Sequence, residues 1–153
     1  MEAILLIGIQ ASGKTTFYQE RFHRTHLRLN LDMLRTRRRE GILLEACLRA
    51  GQRFVVDNTN PTRAERARYI APARAAGFRV IGYWLDVPAA EALARNAARP
   101  EGERVPEVAI WATLARLEPP ARDEGFHALY RATPAADGTW EVTPWPEAGA
   151  PAP

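Results

Sequence analysis

The chain has 21 Lys and Arg residues, and only one of them is a lysine, Lys14. It sits in Gly8-Ile9-Gln10-Ala11-Ser12-Gly13-Lys14-Thr15, a full match to G-x-x-x-x-G-K-[ST]. The two glycines let the backbone curl so that several N–H groups face one hollow, which the following helix dipole also makes favourable for negative charge. Such a hollow suits the β-phosphate of a nucleotide, with Gly8, Gln10, Ala11, Ser12, Gly13, Lys14, Thr15 and Thr16 as the expected binding residues. Lys14 would reach between the β- and γ-phosphates, and the Thr15 hydroxyl would coordinate Mg²⁺. A compact ammonium suits this task better than the rigid fork of an arginine, which the chain uses at every other basic position.

Two carboxylates and two arginines extend the chemistry. Asp57 closes the apolar run Phe54-Val55-Val56, the pattern of a strand whose terminal acid orients a Mg²⁺ shell, here through water. Asp32 follows the short run Leu27 to Leu29, so it falls at the carboxyl end of a strand, the sheet edge where ligands bind. It can face a γ-phosphate there or cap a helix. Arg95 and Arg99 are four residues apart, on one face of a helix. They can stabilise charge on a transferring phosphoryl group or pair with Glu91, Glu101 or Glu103 on the surface.

Positioning these groups requires an alternation of strands and helices. Ala3 to Ile7 is continuously apolar, as a central parallel strand must be. A helix over 14–23, a strand over 27–29, helical pattern over 33–50 interrupted by Gly41, a strand over 53–57 and a helix over 62–76 starting after Pro61 follow in order. A fourth strand spans 79–86. Helices over 89–98 and 107–117, joined by a loop containing Gly102 and Pro106, have the composition of an arginine-bearing lid covering about 88–117. A fifth strand over 126–132 and a sixth over 139–145 flank the turn Ala136-Asp137-Gly138. Trp140 and Trp145 read as packing residues. The expected architecture is α/β, with a mostly parallel sheet of about five strands and helices on both faces.

With 153 residues the chain suits one domain, taken as 1–145, and the Pro-, Ala- and Gly-rich stretch 146–153 reads as a disordered tail. No apolar run is long enough to span a bilayer and no basic-flanked leader is evident, so a cytoplasmic location without membrane attachment is expected. Cys47 is the single cysteine and reads as a small apolar helix residue; with His23, His26 and His127 it forms no ligand spacing, so no structural metal is expected. Charge is uneven: 12 Arg against 5 acids between Arg21 and Arg68 give +7, within a chain of net +3. That segment is either a polyanion-binding surface or a solvated one.

Four segments in register resemble the kinase module of polynucleotide 5′-hydroxyl kinases and their P-loop relatives, which include zeta-toxin-like kinases. They are Gly8 to Phe17, Asn30-Leu31-Asp32-Met33-Leu34-Arg35, Val56-Asp57-Asn58-Thr59-Asn60-Pro61, and Arg95 to Arg99 followed by Val105-Pro106. The resemblance implies that Asp32 is the general base, that Arg35 grips the acceptor's phosphate, and that Arg95 and Arg99 belong to a lid over the phosphates of ATP. It implies a three-layer P-loop fold of the kinase type, ATP and Mg²⁺ as cofactors and single-stranded or end-exposed nucleic acid as partner. A motor or GTPase fits poorly, since a guanine-reading N-K-x-D needs a second lysine. Three functions stay open: a polynucleotide 5′-hydroxyl kinase, a kinase of a small hydroxylated metabolite, nucleotide or sugar, and a nucleotide-binding regulator without turnover.

Overall fold

The computed structural model describes residues 1–146. Of the expected tail, all but Pro146 lies outside the described residues. Six strands, β1 (Glu2–Ile7), β2 (Leu27–Leu29), β3 (Phe54–Asp57), β4 (Arg79–Leu85), β5 (Ala128–Pro134) and β6 (Trp140–Pro144), form one sheet in the order β2-β3-β1-β4-β5-β6. The first five run parallel, and β6 returns antiparallel on β5 through the Ala136–Gly138 turn. This is the kinase-type P-loop sheet, and its last strand is the sixth one expected over 139–145. All the parallel strands therefore end at one edge, and that edge is where the site lies.

Alternation along β1 divides the core. Ala3, Leu5 and Ile7 join a layer with Leu44 and Cys47 of α3 (Arg37–Ala50) and Tyr69, Ile70 and Ala73 of α4 (Arg63–Ala75). Ile4 and Leu6 join the opposite layer with Phe17 of α1 (Lys14–Arg21) and Phe22. Burial on both faces explains why β1 reads as an unbroken apolar run. A third, smaller core holds Ile9 and Val87 against Ala92 of α5 (Ala89–Ala98) and Ile110 of α6 (Glu107–Arg116), fastening these helices over the phosphate loop. Among the described residues no helix is long and apolar enough to cross a membrane.

The sequence pattern placed several boundaries wrongly. The expected break at Gly41 does not occur, because Gly41 lies inside α3. The break comes earlier: the single turn α2 (Leu31–Leu34) ends at Arg35, whose φ of 75° leaves the helical region, and Thr36 caps α3 by accepting from the Arg39 N–H at 3.1 Å. A non-glycine residue there costs roughly 1–3 kcal/mol, which the surroundings must offset. Pro61 precedes the Thr62 N-cap of α4 rather than opening the helix. Arg99 is likewise no part of α5: its extended backbone follows the last helical residue, Ala98, so Arg95 and Arg99 do not share a helix face.

Candidate functional site at the carboxyl edge of the sheet

The phosphate loop joins β1 to α1, and sterics dictate its residues. Gly13 has φ 92°, and a Cβ there would lie 2.9 Å from the Trp140 ring and 3.0 Å from an Arg95 guanidinium nitrogen. Any side chain at 13 is therefore excluded twice, by backbone conformation and by space. Gly8 is tight as well, since a Cβ would meet Ser12 Oγ at 3.0 Å. Its N–H donates to the Thr59 carbonyl at 3.1 Å, tying the loop to the turn after β3. Ala11, at φ 59°, completes the curl.

The Lys14 ammonium lies across the hollow, donating to the carbonyls of Ile9 at 2.7 Å and Gly8 at 3.0 Å. Desolvation pulls its pKa down from 10.5 to about 8, opposed by the carboxylates of Asp57 and Asp32 and reinforced by Arg99. Three of the sequence-predicted residues thus act electrostatically on the fourth. A cleft of about 330 Å³ is lined by Lys14, Thr15, Asp32, Asp57 and Arg99, together with Gln10, Ala11, Gly13, Thr16 and the Asn58-Thr59 turn. Asp57 is 2% exposed, and its Oδ2 accepts from Thr15 Oγ1 at 3.0 Å.

Asp32 stands in the second position of α2, whose cap is Asn30: Asn30 Oδ1 accepts from the Met33 N–H at 3.0 Å. The capping alternative for Asp32 therefore falls to its neighbour, and the Asp32 carboxylate is free to line the cleft. Arg35 is exposed at the far end of the same turn and does not line the cleft. Arg95 pairs with Glu91 at 2.8 Å, one of the surface acids expected as alternatives, and also donates to the Ser12 carbonyl of the loop at 3.3 Å.

Several features were missed from sequence. Arg28 of β2 donates through Nε to Asp57 Oδ2 at 2.7 Å and through a terminal nitrogen to Thr15 Oγ1 at 3.2 Å. Asn96 is buried and clasps Val105, with Nδ2 donating to the Val105 carbonyl at 2.7 Å and Oδ1 accepting its N–H at 3.0 Å. Gln10 reaches out of the loop to donate to Thr113 Oγ1 of α6 at 2.9 Å. Trp140 packs edge-on against Phe17 at 5.4 Å, as expected of a core residue, yet it also walls a second cleft of about 410 Å³ with Gly13, Arg95, Arg99 and Pro134-Ala135. An asparagine between two arginines on an amphipathic helix was the only signal for the Asn96 clasp.

Comparison with known proteins agrees with this fold. The chain is 29% identical over 131 residues to a bifunctional polynucleotide phosphatase/kinase of Schizosaccharomyces pombe, covering 82% of this chain and 32% of that protein's length. The chain thus spans about a third of that relative. Among solved structures, a sugar kinase from a Janibacter species superposes with a TM-score of 0.65 at 22% identity, covering 86% of this chain and 85% of that one. Kti12 of Chaetomium thermophilum, in complex with ADP-AlF3, superposes with a TM-score of 0.64 at 16% identity, covering 84% and 87%. The sequence pattern of the AAA domain family matches residues 4–120, the span from β1 through the phosphate loop and both carboxylates to the end of α6, and the chain belongs to that family of P-loop proteins.

Proposed function

We propose that this chain is an ATP- and Mg²⁺-dependent kinase that transfers the γ-phosphoryl group to a hydroxyl, the 5′-hydroxyl of a polynucleotide. It would act as one domain over residues 1–145, with residues of about 88–117 as the lid. The observation that carries this reading is the convergence of Asp32, Asp57 and Arg99 on Lys14 in one cleft at the sheet edge. The choice of acceptor is supported by the polynucleotide phosphatase/kinase relative and by the +7 segment from Arg21 to Arg68.

In this mechanism the acceptor oxygen attacks the γ-phosphorus, the bond to the β,γ-bridging oxygen breaks, ADP leaves, and the hydroxyl proton passes to an Asp32 carboxylate oxygen. Lys14 follows the β- and γ-oxygens as a point charge, and Arg95 and Arg99 neutralise charge on the equatorial oxygens. Arg35 holds a phosphate of the acceptor strand. The pair Thr15 Oγ1 and Asp57 Oδ2 offers hard oxygen donors 3.0 Å apart, a set that fits Mg²⁺, with Asp57 acting through water. When bound, the cation would neutralise phosphate charge.

Arg28 bears on that fit, because its guanidinium holds the same Asp57 oxygen. Arg28→Ala is expected to lower the Mg²⁺ concentration needed for half-maximal nucleotide binding several-fold, read by titration calorimetry at fixed ADP. A higher Mg²⁺ requirement would mean that Arg28 instead orients Asp57 for the metal.

Lys14 gives a pH signature. Its folded pKa of about 8 lies below the ordinary lysine value, so the free protein loses this charge as pH rises through 8. Bound phosphates favour the charged form, so nucleotide binding takes up a proton above that pH. Affinity for ADP is expected to weaken by up to ~10-fold per pH unit above 8 and to be nearly flat below 7. A flat profile from pH 7 to 9.5 would contradict the lowered pKa.

Transfer of labelled γ-phosphate from ATP tests the function itself. The acceptors are a 5′-hydroxyl oligonucleotide, its 5′-phosphorylated control, and a panel of nucleosides and sugars. Label on the 5′-hydroxyl strand alone is the expected result. Label on a small molecule only would reassign the acceptor, and nucleotide binding without label anywhere would reassign the chain to a regulator.

A further inference from the structure

Glu40 is buried at 2% exposure inside α3, and nothing in the proposed mechanism uses it. Its carboxylate accepts three hydrogen bonds. Oε1 takes the Tyr69 hydroxyl at 2.8 Å and an Arg37 guanidinium N–H at 2.9 Å, and Oε2 takes Asn58 Nδ2 at 2.8 Å. Asn58 Nδ2 also donates to the Tyr69 hydroxyl at 3.2 Å, which leaves Asn58 Oδ1 to accept the Leu31 N–H at 2.9 Å. The amide orientation follows from chemistry alone, because a carboxylate can only accept and a backbone N–H can only donate. Tyr69 fits its place as a donor: burial, with the neighbouring Glu40, pushes its hydroxyl up to about 12.

Leu31 opens α2, the turn that carries Asp32. A single turn is not stable by itself, so its placement comes from its anchors. Two of them lie at the end of β3, where Asn30 Nδ2 donates to the Asp57 carbonyl at 2.6 Å and Asn58 Oδ1 accepts the Leu31 N–H, while at the other end of the turn Leu34 packs on the core and its carbonyl accepts from Arg39. We infer that Glu40 is a positioning residue for phosphoryl transfer: its carboxylate locks the Asn58 amide, which holds the α2 turn and thereby aims Asp32 at the acceptor hydroxyl. The inference rests on the assignment of Asp32 as the base. Its aim is sensitive, since a displacement of about 1 Å in a reacting group can cost ~100-fold in rate.

Amide hydrogen exchange followed residue by residue, with Mg·ADP bound, tests this without relying on turnover. In Glu40→Ala the Leu31 and Met33 amides are expected to exchange at least ~10-fold faster, while amides of β1 keep their rates. Glu40→Gln, whose Oε1 can still accept from Asn58, is expected to recover part of the protection, and Tyr69→Phe to lose less than Glu40→Ala. In parallel, kcat for transfer to a 5′-hydroxyl oligonucleotide is expected to fall ~10- to 100-fold in Glu40→Ala with the affinity for ADP unchanged. Adding Glu40→Ala to Asp32→Asn should cost nothing further. Unchanged exchange at Leu31, or uniform acceleration of β1 along with α2, would overturn the positioning role. Full activity of Asp32→Asn alone would instead sink the base assignment, with the exchange result standing independently.

Discussion

Replacing Arg66 with methionine is expected to lower the unfolding free energy by about 3–5 kcal/mol, which is a large part of the roughly 5–15 kcal/mol that a domain of this kind has. Arg66 projects from α4 and is 0% exposed; its partner Glu124 is 2% exposed by side chain. The guanidinium meets the carboxylate with both oxygens engaged, at 2.7 and 3.0 Å, and its remaining terminal nitrogen donates to the carbonyls of Asn60 at 3.0 Å and Glu118 at 3.1 Å. Glu124 Oε2 also takes the Ala121 N–H at 2.8 Å. Removing the arginine leaves a buried carboxylate without its countercharge and takes this donor from the carbonyls of Asn60, which is buried, and of Glu118.

Urea denaturation should report this loss, with the melting temperature falling by roughly 10 °C. The double replacement Arg66→Met with Glu124→Leu is expected to recover much of it, since a buried pair is costly to break and far less costly to replace whole. Arg63→Met provides the contrast. Arg63 pairs with Asp123 at 2.8 Å, but that acid's side chain is 75% exposed, and the change should stay within about 0.5 kcal/mol. A loss below 1 kcal/mol for Arg66→Met would mean that the ion pair is not what secures α4 to the turn at Arg122–Glu124.

What could be read in the chain beforehand divides by the range of the interaction. The phosphate loop is legible because its constraints are local: a left-handed backbone at Gly13 and a close approach at Gly8 leave glycine as the residue that fits, and the motif records this directly. The strands are legible for the same reason, since burial on both faces of β1 leaves an apolar run with nothing to interrupt it. The break at Arg35 was not legible. Its residues are acceptable helix formers, and the turn is stopped by a strained arginine and an asparagine partner, Asn58, that stands 27 residues away from Leu31 in the chain. Gly41, a plausible break on propensity, is carried through the helix by the packing of Leu44 and Cys47.

The same distinction governs the polar residues. Arg28 meets Asp57 across 29 positions, and Glu40 meets Tyr69 across 29, so neither pairing leaves a trace in local spacing. Adjacent arginines at 37, 38 and 39 separate as a helix requires: Arg37 turns inward to Glu40, whereas Arg39 lies back on the Leu34 carbonyl at 3.3 Å. Much of the basic surplus of this segment remains on the surface, as a polyanion-binding face and a solvated one both require.

Asp32→Asn should separate binding from chemistry. The substitution keeps the size of the side chain, and Asp32 is exposed and makes no cap, so folding should be affected by less than about 0.5 kcal/mol. Affinity for Mg·ATP should be nearly preserved, because the proposed phosphate contacts are those of the loop and Lys14. The rate of transfer should fall by about 10²- to 10⁴-fold, since an amide cannot take the hydroxyl proton as the phosphoryl group moves. The fall should appear in kcat and kcat/KM together, as expected for an interaction made in the transition state. Lys14→Ala is the necessary companion: it should weaken nucleotide binding as well as transfer, because it removes the ammonium that lies across the hollow. If Asp32→Asn turned over normally, the base would have to be sought elsewhere in the cleft. If instead it lost ATP affinity in step with Lys14→Ala, Asp32 would be acting on the nucleotide or its metal, as the electrostatic contact between Asp32 and Lys14 would then explain.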